Sequence, residues 1–550
     1  MSFITSDKTI QEYRRGLEIG LLWSLPFNAQ VRDVIYHYID YVKGYEDKII
    51  DSWPLQRLRY IYQLQAAHFV YPSATHTRFS HSLGVMHLSY KYVNQLLRSL
   101  PQNKKINTPV IREVSKRVRE IAVASRIVGL LHDIGHGPFS HAFDRYVYKN
   151  KDFLGYRVGN HEVMSYIIYR DYLRDVIRKA LNNYNNVLGV DVEYVLEIID
   201  EAMKPIISMR KHTDLLSKNI LRPDEFYVPL PDKSIHTIVR LVVRDFIYTS
   251  DIIDYLRRDS YYTGLPIGNI NDEWLIRNTY LVEQGGLLVP AISTKAVDDL
   301  VRLLNARKMM YKNVYLHHVN LAFSETIGVL LNCLKEHISH IIDEMLTNPE
   351  KLRLYMSLTD FGIYGLLQRI LSFGDIGALC KDNMELARQS LENLLVKRKP
   401  AWKRLDTFTF DLRRAKHIFS HRFGEIMQES IKKVISEELA STLSSKGFSE
   451  DDIRVVITSI DIYPSAGKEI VKNLVIVKVQ EDKIIGRDEE NLDRFAERHG
   501  LVPEALFIIY LNREKYKKLS EDDLTRARSL VSDILREAIG SRIEEVPETS

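Results

Sequence analysis

The sequence predicts a mainly α protein, with a helical core over residues 31–356, a helical extension over 357–440 and a small α+β domain over 453–550. Three observations carry that reading. Apolar residues recur at spacings of three and four through the first part, as in Ile121, Val128 and Leu131 or Ile252, Tyr255 and Leu256, the pattern of helices with a buried face. Residues 441–452 gather Ser, Gly and acidic side chains without periodicity, as a linker does. Beyond them, Ile453–Ile460, Leu474–Val479 and Ala505–Leu511 are β-branched or apolar runs of strand length.

Taken in order, residues 1–30 form an N-terminal segment. Its apolar stretch from Gly20 to Phe27 is too short to span a bilayer and follows the charged Arg14, Arg15 and Glu18, so it reads neither as an anchor nor as a leader. The core follows, and its helical pattern continues through the charged stretch Leu386–Leu439. In the last domain a helical stretch over Glu489–Arg498 separates two of the strands, a second helix covers Asp522–Ile539, and Glu544–Ser550 are expected to fray.

The composition, 45% hydrophobic and 27% charged over 550 residues, is that of a folded protein of two to four domains and excludes disordered, collagen-like and mucin-like classes. The 76 basic and 72 acidic side chains leave a net charge of +4, too small a surplus to argue for nucleic acid, which is left open. Cys333 and Cys380 are too few for a disulfide framework or a thiolate zinc site. They point to a reducing compartment, hence to a cytoplasmic protein with no membrane partner.

The chemistry concentrates in Leu131-His-Asp-Ile-Gly-His-Gly-Pro-Phe-Ser-His141. An adjacent His132-Asp133 pair at the end of an apolar helix, broken at once by Gly135, Gly137 and Pro138, lets an imidazole and a carboxylate face one cation. Such nitrogen and oxygen ligation suits iron, manganese, zinc, nickel or cobalt rather than copper(I), without choosing among them. A single buried His-Asp pair is more often structural. Two distant segments add to it, one around His81 in Thr77-Arg-Phe-Ser-His-Ser-Leu-Gly84 and one from Asp251 to Asp259 in Asp-Ile-Ile-Asp-Tyr-Leu-Arg-Arg-Asp.

The set His81, His132, Asp133 and Asp251 resembles the metal-binding signature of the HD-domain phosphohydrolases, all-helical metal-dependent enzymes acting on phosphate esters and anhydrides. The runs Gln56–Leu64, His76–Gly84, Leu131–His141 and Asp254–Asp259 are similar to the deoxynucleoside triphosphate triphosphohydrolase branch, over about Asp33 to His318. The segment before Asp33 leaves no room for the sterile-alpha-motif domain that some members carry, and the region after Asp452 matches nothing.

The resemblance implies that His81, His132, Asp133 and Asp251 bind one divalent transition metal, with magnesium accompanying the nucleotide. It implies that His136, His141 and His161 face the α-phosphate as ligands or acid, and Asp144, three residues after His141, can orient and charge its imidazole. Arg78 and Arg307 fit phosphate-binding arginines. A lysine expected directly after the last metal-binding aspartate is Ile252 here, with Arg257 and Lys312 as candidate replacements. Gln63, Leu64, Tyr255, Asp259 and Tyr315 stand where the branch holds the deoxyribose.

The mammalian-type members assemble as oligomers that hold activating nucleotides, which implies a homo-oligomer, tetramer or dimer, for this chain. Asp51, Gln56 and Arg59 stand where that branch reads guanine: the carboxylate accepts from the N1 and N2 donors and the arginine addresses O6 and N7. Lys295 matches a phosphate-contacting lysine of a second regulatory site, while Ser293 and His318 replace an arginine and a lysine there. The expected activity is hydrolysis of a dNTP to deoxynucleoside and inorganic triphosphate, with guanine activation. Two alternatives stay open, a phosphohydrolase for another nucleotide and a nucleotide-sensing or nucleic-acid-binding module with a structural metal.

Overall fold

The computed structural model describes residues 25–100, 108–149, 152–153, 156–157, 160–205, 227, 234–374, 380, 383–419, 424–464, 471, 473–481 and 483–540. The segment before residue 25 and the stretch Glu544–Ser550 lie outside the described residues.

The fold is mainly α, with a small α+β part at its C-terminal end. The helices that build and flank the site are α1 (Arg78–Ser99), α2 (Val118–Leu131), α3 (His161–Ile168), α4 (Ser250–Thr263), α5 (Val297–Met310), α6 (His318–Cys333) and α7 (Asp360–Phe373). Two more, α8 (Gly424–Thr442) and α9 (Glu521–Ile539), belong to the C-terminal part. One continuous apolar core holds α1, α2 and α4 together through side chains such as Val85, Leu88, Ile127, Val128, Ile253 and Leu256. Among the described residues no helix is long and apolar enough to cross a membrane.

Helix ends are set locally. The Thr249 hydroxyl accepts the Ile252 N–H at 3.1 Å and starts α4, which stops at Gly264 in a left-handed conformation, φ +72°. Asn160 likewise caps α3, its side chain accepting the Val163 N–H at 3.1 Å.

The longer strands are β1 (Ala29–Asp33), β2 (His37–Tyr41), β3 (Thr279–Gln284), β4 (Leu287–Ser293), β5 (Trp402–Asp411), β6 (Ile453–Ile460), β7 (Asn473–Gln480), β8 (Lys483–Asn491) and β9 (Glu504–Asn512). β1 and β2 form a hairpin, and β5-β9-β6 is an antiparallel three-stranded sheet. α8 and α9 cover one face of that sheet, burying Ile435, Leu439, Phe507, Ile509, Val531 and Leu535. The other face, with Trp402, Val456, Ile508 and Tyr510, packs on Ala322 of α6. β7 and β8 leave this unit to join β4 and β3 in a sheet ordered β8-β7-β4-β3, with β4 and β7 parallel.

Three expectations change. The helical pattern over Leu386–Leu439 is interrupted by β5, whose Thr407-Phe408-Thr409-Phe410 run alternates as a strand and pairs with β9. The helix expected over Glu489–Arg498 begins only at Leu492, because Asn491 caps it through the Asp493 and Arg494 N–H groups and the preceding residues continue β8. The stretch 441–452 is ordered into the end of α8 and two 3-10 turns, the second closed by a Ser449–Asp452 capping box.

The cysteine reading also changes. Cys333, at the end of α6, is disulfide-bonded to Cys380, with Cα atoms 4.6 Å apart. A bond of this kind persists in oxidising surroundings or in the intracellular proteins of hyperthermophiles, so two cysteines do not by themselves argue for a reducing compartment.

Candidate active site

Three helix ends meet at one buried point. His81 lies in the first turn of α1, His132 caps the end of α2, Asp133 follows it, and Asp251 lies in the first turn of α4. His81 Nε2 is 3.1 Å from Asp251 Oδ1 and 3.8 Å from Asp133 Oδ2, and His132 Nε2 is 3.6 Å from Asp251 Oδ1 and 3.5 Å from Asp133 Oδ1. The structure therefore brings together all four residues predicted to bind metal.

Their tautomers are fixed from behind. His132 Nδ1 donates to the Gly129 carbonyl at 2.9 Å, and His81 Nδ1 donates to Asp254 Oδ2 at 2.8 Å. Each imidazole thus turns a lone pair at Nε2 into the gap, and both Nε2 atoms are buried without a hydrogen-bond partner. Buried lone pairs facing Asp133, with Asp251 beside both imidazoles, fit a divalent cation. Burial opposes charge on His81, but the Asp251 and Asp254 carboxylates beside it overcome that and raise its pKa to about 10 in the absence of a cation. Burial likewise disfavours the Asp133 and Asp251 carboxylates, yet the neighbouring histidines, with Arg78 at Asp133, hold both below the usual carboxylate range.

Asp254 was not among the residues predicted to function. It sits one turn after Asp251 on α4 and is itself gripped by Arg258 at 2.9 and 3.0 Å, which also reaches Asp33 at 2.8 Å. The approach of Asp254 to α1 requires a glycine, since a Cβ on Gly84 would lie 1.8 Å from Asp254 Oδ1.

A second group adjoins the first. His136 Nε2 is 3.6 Å from Asp133 Oδ1, and its ring stacks on that of His161 at a centroid distance of 3.6 Å. Asp144 Oδ2 receives His161 Nδ1 at 2.6 Å and His141 Nδ1 at 3.3 Å, and its Oδ1 accepts the His161 N–H at 3.1 Å. Burial disfavours the Asp144 carboxylate, but the two imidazoles hold it low, and Asp144 in turn raises His161 against the cost of burial. Burial, reinforced by Arg78 and the other histidines, holds His136 well below the ordinary imidazole value. Asp144 therefore serves His161 more closely than the predicted partner His141.

The loop between His136 and His141 takes an unusual path, with Phe139 and Ser140 at φ +59° and +53°. Asp360, at the start of α7, holds it by accepting the Phe139 N–H at 2.6 Å and the Tyr62 N–H at 3.0 Å. This carboxyl, missed in the sequence, is fully buried, and desolvation pushes its pKa up to about 7 against those two hydrogen bonds. α3 closes over the same loop. A Cβ on Gly135 would come within 2.3 Å of the His161 carbonyl oxygen and the Ser165 nitrogen.

The other predicted residues divide. Arg78 donates to Asp133 and, at 2.8 Å, to the Ser140 hydroxyl, so it stands between the two groups. Tyr315 donates to Asp259 Oδ2 at 2.7 Å, His76 meets Asp259 Oδ1 at 2.8 Å, and the Tyr255 and Tyr315 rings meet edge to face at 6.0 Å. Gln63 and Leu64 are buried, and Gln63 Oε1 has no hydrogen-bond partner. Arg307 is buried over the Tyr311 ring but donates to the Asp461 and Ile462 carbonyls, in the chain after β6. Arg257 is paired with Asp272 at 2.8 Å and Lys312 with Glu504 at 3.4 Å, so neither stands free to replace a lysine at the buried Ile252.

Of the residues expected to read guanine, Gln56 Oε1 accepts Arg59 Nε at 2.7 Å, and the Arg59 guanidinium lies over the Phe79 ring at 3.6 Å. Asp51 is exposed at the end of the short helix Glu46–Ile50. Lys295 is exposed in a 3-10 turn before α5, its carbonyl accepting Trp274 Nε1 at 3.3 Å.

Residues 78–221 match the HD domain family, a span that includes six of the histidine and aspartate positions above and Asp144. Over that stretch the chain is similar to the HD domain. It is 28% identical over 336 residues to a putative HD domain-containing protein of Acanthamoeba polyphaga mimivirus, covering 60% of this chain and 63% of the relative. It is 27% identical over 340 residues to the deoxynucleoside triphosphate triphosphohydrolase SAMHD1 homolog of Dictyostelium discoideum, covering 62% of this chain and 54% of the relative. To the chicken (Gallus gallus) deoxynucleoside triphosphate triphosphohydrolase SAMHD1 it is 28% identical over 298 residues, covering 53% and 44%. The chain thus spans about half the length of the curated relatives it matches.

Proposed function

We propose that this protein hydrolyses deoxynucleoside triphosphates to the deoxynucleoside and inorganic triphosphate. The observation that carries the reading is the adjacency of the His81, His132 and Asp133 group, with Asp251 against both imidazoles, to the His136, His141, Asp144 and His161 group, with Arg78 between them. Similarity to relatives named as dNTP triphosphohydrolases supports the same choice.

A divalent transition metal held by His81, His132, Asp133 and Asp251 would supply Lewis acidity and a water of lowered pKa, with magnesium accompanying the nucleotide. Arg78, buried and always charged, neutralises phosphate oxygens as attack at the α-phosphorus builds negative charge. His136, kept neutral, can accept a hydrogen bond or a proton from the attacking water. His161, kept charged by Asp144, can donate a proton to the departing 5′-oxygen, and His141, largely exposed beside it, can take a phosphate oxygen. Water oxygen joins the α-phosphorus, the bond to O5′ breaks and the proton ends on the deoxynucleoside.

Asp259 and Tyr315, locked to one another, with Tyr255, Gln63 and Leu64, form the wall we assign to the deoxyribose. Arg307 would take an outer phosphate oxygen once drawn from the Asp461 and Ile462 carbonyls. Asp51, Gln56 and Arg59 are assigned to a guanine nucleotide activator and Lys295 to a second regulatory nucleotide, acting in a homodimer or tetramer in the cytoplasm. A second reading, hydrolysis of another phosphorylated nucleotide, is favoured by Ile252 and by the engagement of Arg257 and Lys312 elsewhere. A product screen by chromatography with dNTPs, NTPs and nucleoside monophosphates, each with several metals, separates the two. Turnover confined to dNTPs supports the first reading, and turnover confined to another class replaces it by the second.

A further inference from the structure

Arg307, the cation assigned to an outer phosphate, is held by the C-terminal part of the chain. It lies on α5 with 5% of its surface exposed, and its Nη1 donates to the Asp461 carbonyl and, at 3.2 Å, to the Ile462 carbonyl, directly after β6. Its Nε is buried without a hydrogen-bond partner. Burial opposes the charge of this guanidinium, and Tyr311, Tyr255 and Asp461 hold it charged. Arg307 thus answers both to Tyr255, one turn after Asp251 on α4, and to a strap of chain outside the helical core. The strap is itself fixed. Ile462 and Tyr463 are buried in the main apolar core, the Tyr463 hydroxyl donates to the Leu492 carbonyl at 2.9 Å, and the Ser459 hydroxyl reaches the Asp461 carboxylate at 3.4 Å. The same part of the chain grips this region a second time, through Glu504 of β9, which pairs with Lys308 at 2.8 Å and Lys312 at 3.4 Å.

We propose that Asp461, Ile462 and Tyr463 form an autoinhibitory strap, which withholds Arg307 from the outer phosphates of the substrate and so sets the affinity of the site for triphosphate. This regulation rests on the reading of Arg307 as a phosphate ligand. A buried guanidinium without acceptors is costly, and the strap carbonyls satisfy it while the site is empty. They are neutral, so a phosphate oxygen, which adds a full charge to the hydrogen bond, takes Arg307 from them. Substrate must break the strap contacts to do so, and its affinity falls by their worth. By linkage, triphosphate and strap oppose one another equally, and whatever loosens the strap tightens triphosphate.

The test is calorimetric titration of the full chain, with manganese present, by inorganic triphosphate, which binds without turnover. Asp461→Asn removes a charge at a half-buried position, and Tyr463→Phe cuts the anchor to the Leu492 carbonyl. Each should bind triphosphate about two- to tenfold more tightly than the wild type, the worth of one hydrogen bond. Arg307→Gln should bind it at least about tenfold more weakly, and adding either strap substitution to Arg307→Gln should change nothing further. If Arg307→Gln weakens binding but neither strap variant tightens it, or the gain persists beside Arg307→Gln, the strap is overturned and Arg307 remains a phosphate ligand. If Arg307→Gln binds as the wild type does, Arg307 is no phosphate ligand and the strap falls with it. Triphosphate binding by none of these proteins removes both.

Discussion

Asp254 accepts the Nδ1 proton of His81 at 2.8 Å, and that contact aims the opposite nitrogen of the same ring into the metal group. The carboxylate is fully buried and would be costly without Arg258, which holds it low against desolvation with two hydrogen bonds. Asp254 is thus a positioning residue, acting through His81.

Asp254→Asn should keep the fold and weaken metal binding about 10- to 100-fold, the usual cost of removing a ligand's rear partner. Competition of the apoprotein with a chromophoric chelator measures this. Unchanged affinity would mean that the ring is oriented by packing alone.

Asp133→Ala and His81→Ala should each remove most of the metal and lower turnover by roughly two to three orders of magnitude, because one lost ligand of four disturbs both the cation and its water. Elemental analysis and initial rates on the same samples test the pair. Full occupancy with full turnover in either variant would remove the residue from the metal site.

Much of this site was legible because its chemistry is written in short runs. His132-Asp133 at the end of an apolar helix and the glycine-broken stretch to His141 identify themselves, and β6, β7 and β9 are strands rich in β-branched and other apolar residues. Asp254 was readable too, since Asp251, Asp254 and Arg258 lie three and four residues apart on one face of α4, but acids on helices are common and carry little signal alone. Asp360 was not, because after Thr359 it looks like an ordinary helix start, and only the tertiary fold carries it to Phe139. β5 was hidden by Lys403, Arg404 and Asp406, which break its apolar alternation.

The buried Asp360 makes a prediction about pH. Its pKa is raised in the folded state, to about 7, above its unfolded value of about 3.9, so the folded chain holds the extra proton and the favourable contribution is full below pH 4. It is lost as pH rises through 7. Thermal unfolding of the wild type and Asp360→Asn at pH 5 and pH 8 should show the wild type losing about 1–3 kcal/mol relative to the variant over that interval. A constant difference would place the carboxyl in the usual range.

Reduction of the Cys333–Cys380 bond, which closes a loop with sequence separation 47, should lower stability by about 4 kcal/mol if loop entropy dominates. Melting curves with and without reductant, set beside a Cys380→Ser variant that should match the reduced wild type, test it.

Guanine sensing is tested by rate and mass together. A guanine nucleotide should promote activity or assembly roughly five- to hundredfold better than ATP, since adenine offers an acceptor to Asp51 where guanine offers a donor, at about 1–3 kcal/mol. Asp51→Asn should reduce that preference. Equal response to GTP and ATP in sedimentation and initial rate would return Asp51, Gln56 and Arg59 to bracing the start of α1.

The central claim is that water attacks the α-phosphorus, and the phosphorus NMR spectrum of the products from a dNTP with a divalent transition metal and magnesium tests it most directly. The account predicts the doublet and triplet of inorganic triphosphate alongside unphosphorylated deoxynucleoside. Orthophosphate or pyrophosphate as the sole phosphorus product would contradict it.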